Sequence, residues 1–338
     1  MAEPATALQA FPDPVVTANL YCDRRLDEVV HGALAPLRRA MAAEDPEDLW
    51  RLWFVRYPKR GEHLKVRLHG PEEAALRLRQ LLSEAAEACF AALPPADGGE
   101  PRQDGKEVLP IDLEDEEEGL HPDRVLLWTH YRRSHVSLGG KPLLDDDGYA
   151  DRMTTCLARA AELTLDALRP DAEGRFASRQ RQTTLLRLLI GGLAALGFGT
   201  EKSRAYLAYH RDWLLRFTAS RANLGSQKIQ QTLAQFDQRV DQMGGGIDPI
   251  RGLALGTWSD ARRDSLDGGD GGWWRALREL QSYLDPFRGN ADYQLDPFAT
   301  DVVFSPVFKV FHGGANQLGL NMLNEAFVHH LLWRAAAV

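Results

Sequence analysis

Cysteine is scarce in this chain: three in 338 residues, at Cys22, Cys89 and Cys156. An odd number so widely spaced builds neither a disulfide framework nor a metal knuckle, so reduced thiols in a cytoplasmic setting are expected. Excess positive charge is also missing. The formal charge is -8 and the pI about 5.7, whereas general nucleic-acid binding leaves a basic footprint. The longest apolar stretch, Leu185 to Phe198, is interrupted by Arg187 and several glycines and is too short to span a bilayer, so no membrane partner is expected. No basic segment precedes an apolar one at the N-terminus, which leaves no signal peptide to expect. The glycine runs follow neither a dinucleotide nor a phosphate-loop pattern, and no Cys/His cluster has metal-ligand spacing. No cofactor and no metal are therefore expected.

What is present is a 44% hydrophobic chain able to bury a sizeable core. Val15 to Cys22 reads as a strand, and Leu26, Val29, Val30, Leu34, Leu37 and Met41 recur at helical spacing. Two short strands follow. Pro71 to Leu93 then reads as an amphipathic helix with Glu72 and Glu73 in its first turn, stopped by Pro94 and Pro95. Residues 1–93 thus form a strand–helix–hairpin–helix unit. Residues 94–120 change character: proline, glycine and aspartate lead into Asp112 to Glu118, a composition typical of a solvated loop. Residues 121–338 are mostly helical, continuous with the first unit in one domain, with helices expected around 153–168, 183–196, 203–218, 222–243 and 273–284. A last helix is expected over 316–334. The fold class predicted is α+β, an N-terminal mixed β-sheet with flanking helices packed on a mostly helical C-terminal part.

Two segments carry the chemistry. In the hairpin, Trp53, Val55 and Tyr57 alternate with Phe54 and Arg56, while Leu64, Val66 and Leu68 alternate with His63, Lys65, Arg67 and His69. Pro58 to Gly61 supplies the turn. With the leucines and valine facing a core, Lys65, Arg67 and His69 project together from the other face, and Arg56 is expected to join them from the neighbouring strand. Spacing alone favours a solvated sheet face. The sharper reading is an anion pocket, because a guanidinium matches a carboxylate bidentately. The second segment, His312-Gly313-Gly314-Ala315-Asn316-Gln317-Leu318-Gly319, reads as a loop placing a histidine just before the last helix.

The order strand, helix, Trp53 to Tyr57, His63 to Gly70, then a C-terminal His-x-x-x-Asn-x-Leu-Gly resembles the elimination domain of lantibiotic dehydratases and the stand-alone thiopeptide-type bacteriocin biosynthesis proteins. The resemblance implies removal of glutamate from a glutamylated serine or threonine of a precursor peptide, leaving a dehydroamino acid. It implies that the glutamyl group is installed from glutamyl-tRNA by a separate domain or a separate dehydratase subunit. It implies Lys65 and Arg67 as a clamp on the glutamyl group and His312 as the proton-handling residue, whose reference pKa near neutrality suits that task. Asn316 would orient a peptide amide or cap the last helix. Arg56, His63, His69, Tyr131, Arg133 and His135 are further candidates for holding the peptide, leader and core together. Three positions depart from the family pattern: Lys65, Ser137 and Gln317 stand where arginine is expected.

Those departures keep a rival open. Thiopeptide pyridine synthases resemble the same domain and join two dehydroalanines in a formal [4+2] aza-cycloaddition with release of the leader. Tyr131, His135, Tyr206, His210 and His312 are candidates for its acid–base steps. A non-catalytic subunit that presents the precursor is the third reading.

Overall fold

The computed structural model describes residues 11–22, 24–45, 47–57, 61–94, 123–130, 146–172, 175–222, 225–258, 271–287 and 303–337. Residues 58–60 of the hairpin turn, the acidic segment from 95 to 120, and Tyr131, Arg133, His135 and Ser137 lie outside the described residues. The chain divides into two compact units, 1–136 with 144–169, and 137–143 with 170–338. Among the described residues no helix is long and apolar enough to cross a membrane.

The first unit is built on a four-stranded antiparallel sheet of order β2-β3-β1-β4, with β1 at Val16–Tyr21, β2 at Arg51–Tyr57, β3 at His63–His69 and β4 at Val125–Trp128. Alternation of β-branched, aromatic and leucine side chains with polar ones gives these segments their pleat. Gly61, at φ +104°, enters β3 in a conformation that L side chains rarely adopt. Helix α1 (26–44) passes through a π-helical segment, Val30–Leu34, and packs beside α2 (Ala75–Ala92). Helix α3, Asp147–Ala167, begins on an Asp146 cap that accepts from the Tyr149 main chain and packs on β2. It thus belongs with the sheet, beyond the boundary that proline and acidic composition marks near residue 93.

Register fixes which side chains share a face. Leu64, Val66 and Leu68 pair with Arg56, Phe54 and Leu52, and on the other side with Leu20, Ala18 and Val16. This apolar face is sealed, with Leu64, Val66, Leu68, Phe54, Ala18 and Leu20 at 0% exposure. Arg56 stands on it, not among the cations of β3 as expected, and its Nη2 meets Asp27 of α1 at 2.8 Å. The correction follows from parity: Arg56 lies opposite Leu64, and directly opposed residues point the same way. The other face carries His63, Lys65, Arg67 and His69 with Tyr57, Val55, Trp53 and Arg51. Arg51 reaches Asp151 of α3 at 2.7 Å, so this face is not a solvated one.

The second unit is helical: α4 (Ser178–Ala195), α5 (Thr200–Arg221), α6 (Ser226–Gln242), α7 (Asp248–Trp258), α8 (Gly271–Leu284), α9 (Phe304–Gln317) and α10 (Met322–Ala335). The longest contact is between α5 and α10. Leu214, Leu215, Phe236, Val240, Phe308, Ala326, Phe327 and Leu331 form a shared core. Gly191 and Gly192 let α4 accept bulky neighbours: a Cβ on Gly191 would collide with the Trp274 indole, and one on Gly192 would sit 2.6 Å from Phe311 Cζ of α9. Alanine at 192 gains about 1 kcal/mol of helix propensity, but overpacking a well-filled core costs about 1–3 kcal/mol. Gly192→Ala is therefore expected to lower the urea midpoint of unfolding. A raised midpoint would show that α9 can give way there.

Candidate active site

The histidine motif is helical. Phe304, Val307, Phe308, Phe311 and Ala315 bury α9 on the side of the core, and that packing outweighs the cost, about 1 kcal/mol each, of Gly313 and Gly314 in a helix interior. The helix ends at Gly319, φ +73°. There the Gly319 main-chain N–H donates to the Asn316 carbonyl at 2.9 Å and Leu320 to Ala315 at 3.0 Å. Arg181 of α4 also donates to the Leu318 carbonyl at 3.1 Å. The last helix starts at Met322, not at Asn316, and its cap is Asn321, whose side chain accepts from Asn324 N at 2.8 Å. Asn316 is thus not a cap; it lies in the last turn of α9.

Behind His312 runs a buried hydrogen-bonded chain. His312 Nδ1 lies 2.8 Å from Glu325 Oε2, and His210 Nε2 lies 2.9 Å from Glu325 Oε1. Tyr206 Oη lies 2.9 Å from His210 Nδ1. Tyr206, His210 and Glu325 are all buried, and the His312 side chain is 28% exposed. Burial pushes the Glu325 carboxyl up, but the electrostatic pull of His312 and hydrogen bonds from His210 and His312 outweigh it and hold the group at about 2. An ionised carboxylate only accepts, so both imidazoles donate to it. His210 then carries its proton on Nε2 and receives the tyrosine O–H at Nδ1. Burial keeps that ring neutral by pushing its pKa down.

The same logic orients His312: with Nδ1–H donated to the carboxylate, the neutral form of this partly exposed ring offers Nε2 as a proton acceptor. Phe308 stacks on that ring, 5.4 Å between centroids at 19°. His329 lies 3.9 Å from the His210 ring and donates Nδ1–H to the Glu325 carbonyl at 2.9 Å. Burial first, then His210, depresses it to about 3. The ligand atoms of His210, His312 and Glu325 lie within 4.8 Å of one another, a group among the described residues that would hold a metal ion. Both carboxylate oxygens are also at hydrogen-bond distance from a ring nitrogen.

The expected residues of the hairpin lie in the first unit. His69 is fully buried and uses both ring nitrogens: Nε2 accepts from Trp53 Nε1 at 3.0 Å, and Nδ1 donates to the Phe11 carbonyl at 2.9 Å. Burial holds it neutral, with its pKa down to about 4. This histidine braces the sheet and offers no nitrogen to a ligand. His63 is buried between Tyr21 and Tyr57 and bonds the Gly61 carbonyl at 2.9 Å. Arg67 is 4% exposed and donates to the Val66 carbonyl at 3.0 Å. Lys65 is half-buried, its ammonium 3.8 Å from the Tyr57 ring centroid. Of the expected residues, the structure brings together Tyr206, His210 and His312. Glu325, which joins them, was not singled out by the sequence. Its only signal is an acid amid Ala326, Phe327 and Val328 in an apolar helix.

Acidification weakens this unit by two routes of the same sign. Glu325, ordinarily 4.5 and here about 2, stabilises the fold above 4.5, and that contribution is lost as pH falls toward 2. His329, ordinarily 6.5 and here about 3, must stay neutral, so stability also declines as pH falls from 6.5 toward 3. Glu325→Gln is expected to cost about 3 kcal/mol at pH 7, because it breaks a buried charged network, and to flatten the decline below pH 4.5. Urea unfolding across a pH series reads both effects. An unchanged midpoint at pH 7 would show that the carboxylate is not the keystone of the unit.

A family described as lantibiotic biosynthesis dehydratase, C-terminal, matches residues 16–336. Among solved structures, the pyridine synthase TbtD from thiomuracin biosynthesis aligns with a TM-score of 0.66 and 17% identity, over 95% of this chain and 97% of its own. TsrL aligns with a TM-score of 0.54 and 14% identity, over 94% and 93%. The tRNA-dependent lantibiotic dehydratase MibB from Microbispora sp. 107891 aligns over 100% of this chain and 29% of its own, with 17% identity and a TM-score of 0.48. Comparison with curated proteins gives no match. At these identities the structural likeness is one of fold. The family match, spanning both units and the His312 helix, carries the assignment: the chain belongs to the lantibiotic biosynthesis dehydratase C-terminal family.

Proposed function

We propose that this chain tailors a ribosomally made precursor peptide by eliminating glutamate from glutamylated serine or threonine, with a separate subunit supplying the glutamyl ester. The observation that carries this reading is the His312 ring, held by Glu325 in the tautomer that leaves Nε2 as an acceptor. In the reaction, Nε2 takes the α-proton, the C–H electron pair becomes the Cα=Cβ bond, and the Cβ–O bond breaks to release glutamate as a carboxylate. The imidazolium formed is stabilised by the carboxylate already bonded to Nδ1, so little has to move at the moment of transfer. Lys65 and Arg67 are assigned to the departing glutamyl group on the family pattern, and Asn316 to a peptide amide. Tyr131, Arg133 and His135 remain candidates for the peptide itself.

One observation favours pyridine formation as the second reading. Arg67 is sealed and spends a guanidinium N–H on its own strand, whereas Tyr206 and His210 are tied to His312. A cyclase needs the proton network and not the clamp.

Intact-peptide mass spectrometry separates these readings. Given a glutamylated precursor with leader attached, the wild-type protein is expected to remove glutamic acid and keep the leader. His312→Ala should slow this by about 100-fold or more. Loss of water and of the leader from a dehydroalanine-bearing precursor would establish the cyclase instead. Unchanged turnover in His312→Ala would remove His312 from the chemistry.

A further inference from the structure

Helix α9 is buried along its length except at four positions: Lys309, His312, Gly313 and Asn316, each half-buried. Their spacing of three, four and seven places them in one stripe along the helix, so Lys309 stands one turn before His312 on the same face. Gly313 adds no side chain over that stripe. The fold therefore presents an ammonium, an imidazole and an amide in a row on a helix that is otherwise core.

Lys309 is an unusual occupant for such a place. Among the described residues no hydrogen bond or ion pair reaches it. Burial pushes its pKa down to about 8 from 10.5, and among the described residues no neighbouring charge contributes. A half-buried ammonium with no partner is unfavourable in the free protein. An anion arriving on the stripe would repay that cost, because the attraction is strongest where water is partly excluded.

We propose that Lys309 is a substrate-binding residue that recognises the free side-chain carboxylate of the glutamyl group to be expelled, and so sets the preference for glutamyl over glutaminyl esters. The inference rests on the elimination reading, because it concerns that reaction's leaving group. A glutamyl unit delivered from an aminoacyl-tRNA is esterified through its α-carboxyl and keeps the side-chain carboxylate. That free group is what distinguishes it from glutamine. With His312 acting on the α-proton one turn away, Lys309 holds the far end of the same ester. The lysine adds a cation in a protein with Gln317 and Ser137 where its family expects arginine.

The test uses two precursors that differ only in a glutamyl or glutaminyl ester, and two non-eliminable analogues with the same groups on an amide link to diaminopropionate. Wild type, Lys309→Met and Lys309→Arg are compared by kcat/KM on the esters and by fluorescence anisotropy on the amides. The expected wild-type preference for glutamyl is about 10- to 100-fold, the range of one charge-assisted hydrogen bond. Lys309→Met should bring the ratio near unity by weakening only the glutamyl substrate, and Lys309→Arg should keep most of it. Equal handling of glutamyl and glutaminyl substrates by wild type overturns the assignment while leaving elimination standing. So does a preference that survives in Lys309→Met. Preferential binding of the glutamyl amide without turnover of the ester upholds Lys309 and overturns elimination. The wild-type ratio keeps the proposal falsifiable even if Lys309→Met fails to fold.

Discussion

The second unit is organised around one buried carboxylate. Glu325 has no exposure to speak of, and an ionised carboxylate in such a place survives only if every lone pair that matters is satisfied. Two histidines do this from two helices, His210 on α5 and His312 on α9, while Glu325 itself rides on α10. Helices α5 and α10 share the most extensive contact in the unit, and α9 reaches α4 through the space left by Gly192. The carboxylate thus fixes three helices against one another, and in return they fix its charge. The proton positions of the whole chain, from Tyr206 to His312, follow from that charge.

A similar economy explains the sheet unit. A strand bearing His63, Lys65, Arg67 and His69 reads as a surface, yet three of the four are nearly sealed. Each is accommodated by a specific neighbour: tyrosine rings for His63, the strand carbonyl for Arg67, Trp53 and the Phe11 carbonyl for His69. Keeping His69 neutral is cheap, since a histidine gives up its charge within a few pH units of neutrality. Covering this face with α3 turns a cationic strand into an internal layer, and Arg51–Asp151 ties that helix down.

Much of this was legible in the chain. The period of two located β1, β2 and β3, and apolar spacing located α4, α5, α6, α8 and most of α10, because both signals come from burial on one face; α7 and α9 were not anticipated. The placement of Arg56 depended on parity. It alternates with Trp53, Val55 and Tyr57, so it could not share a face with Lys65 once Tyr57 pairs with His63. The histidine motif misled for a different reason. A double glycine normally breaks a helix, but here tertiary packing decides, and the terminator is Gly319 with Asn321 as the next cap. Glu325 was invisible to periodicity because a helix buried on nearly all sides has no polar face to assign it to. Only its chemistry, an acid without an exposed stripe, marks it.

The two chemistries open to this scaffold share a requirement and differ in one. Both elimination and cyclisation need a proton acceptor the substrate can reach, and on the proposed reading the Glu325-bound, partly exposed His312 supplies that for either. Only elimination must also hold an anion as it leaves. The cations of the hairpin are largely spoken for: Arg56 by Asp27, Arg67 by burial and its own strand, and Lys65 by the Tyr57 ring. Lys309 is in the opposite position, desolvated without a counter-charge among the described residues and on the stripe that carries His312. A protein that needed only the proton network would gain nothing from an unpaired ammonium beside its base, because the two positive charges would oppose each other whenever the imidazole is protonated. An anionic substrate removes that penalty. On the proposed reading, the choice between the two chemistries turns less on the shared histidine than on whether its neighbouring lysine meets a carboxylate.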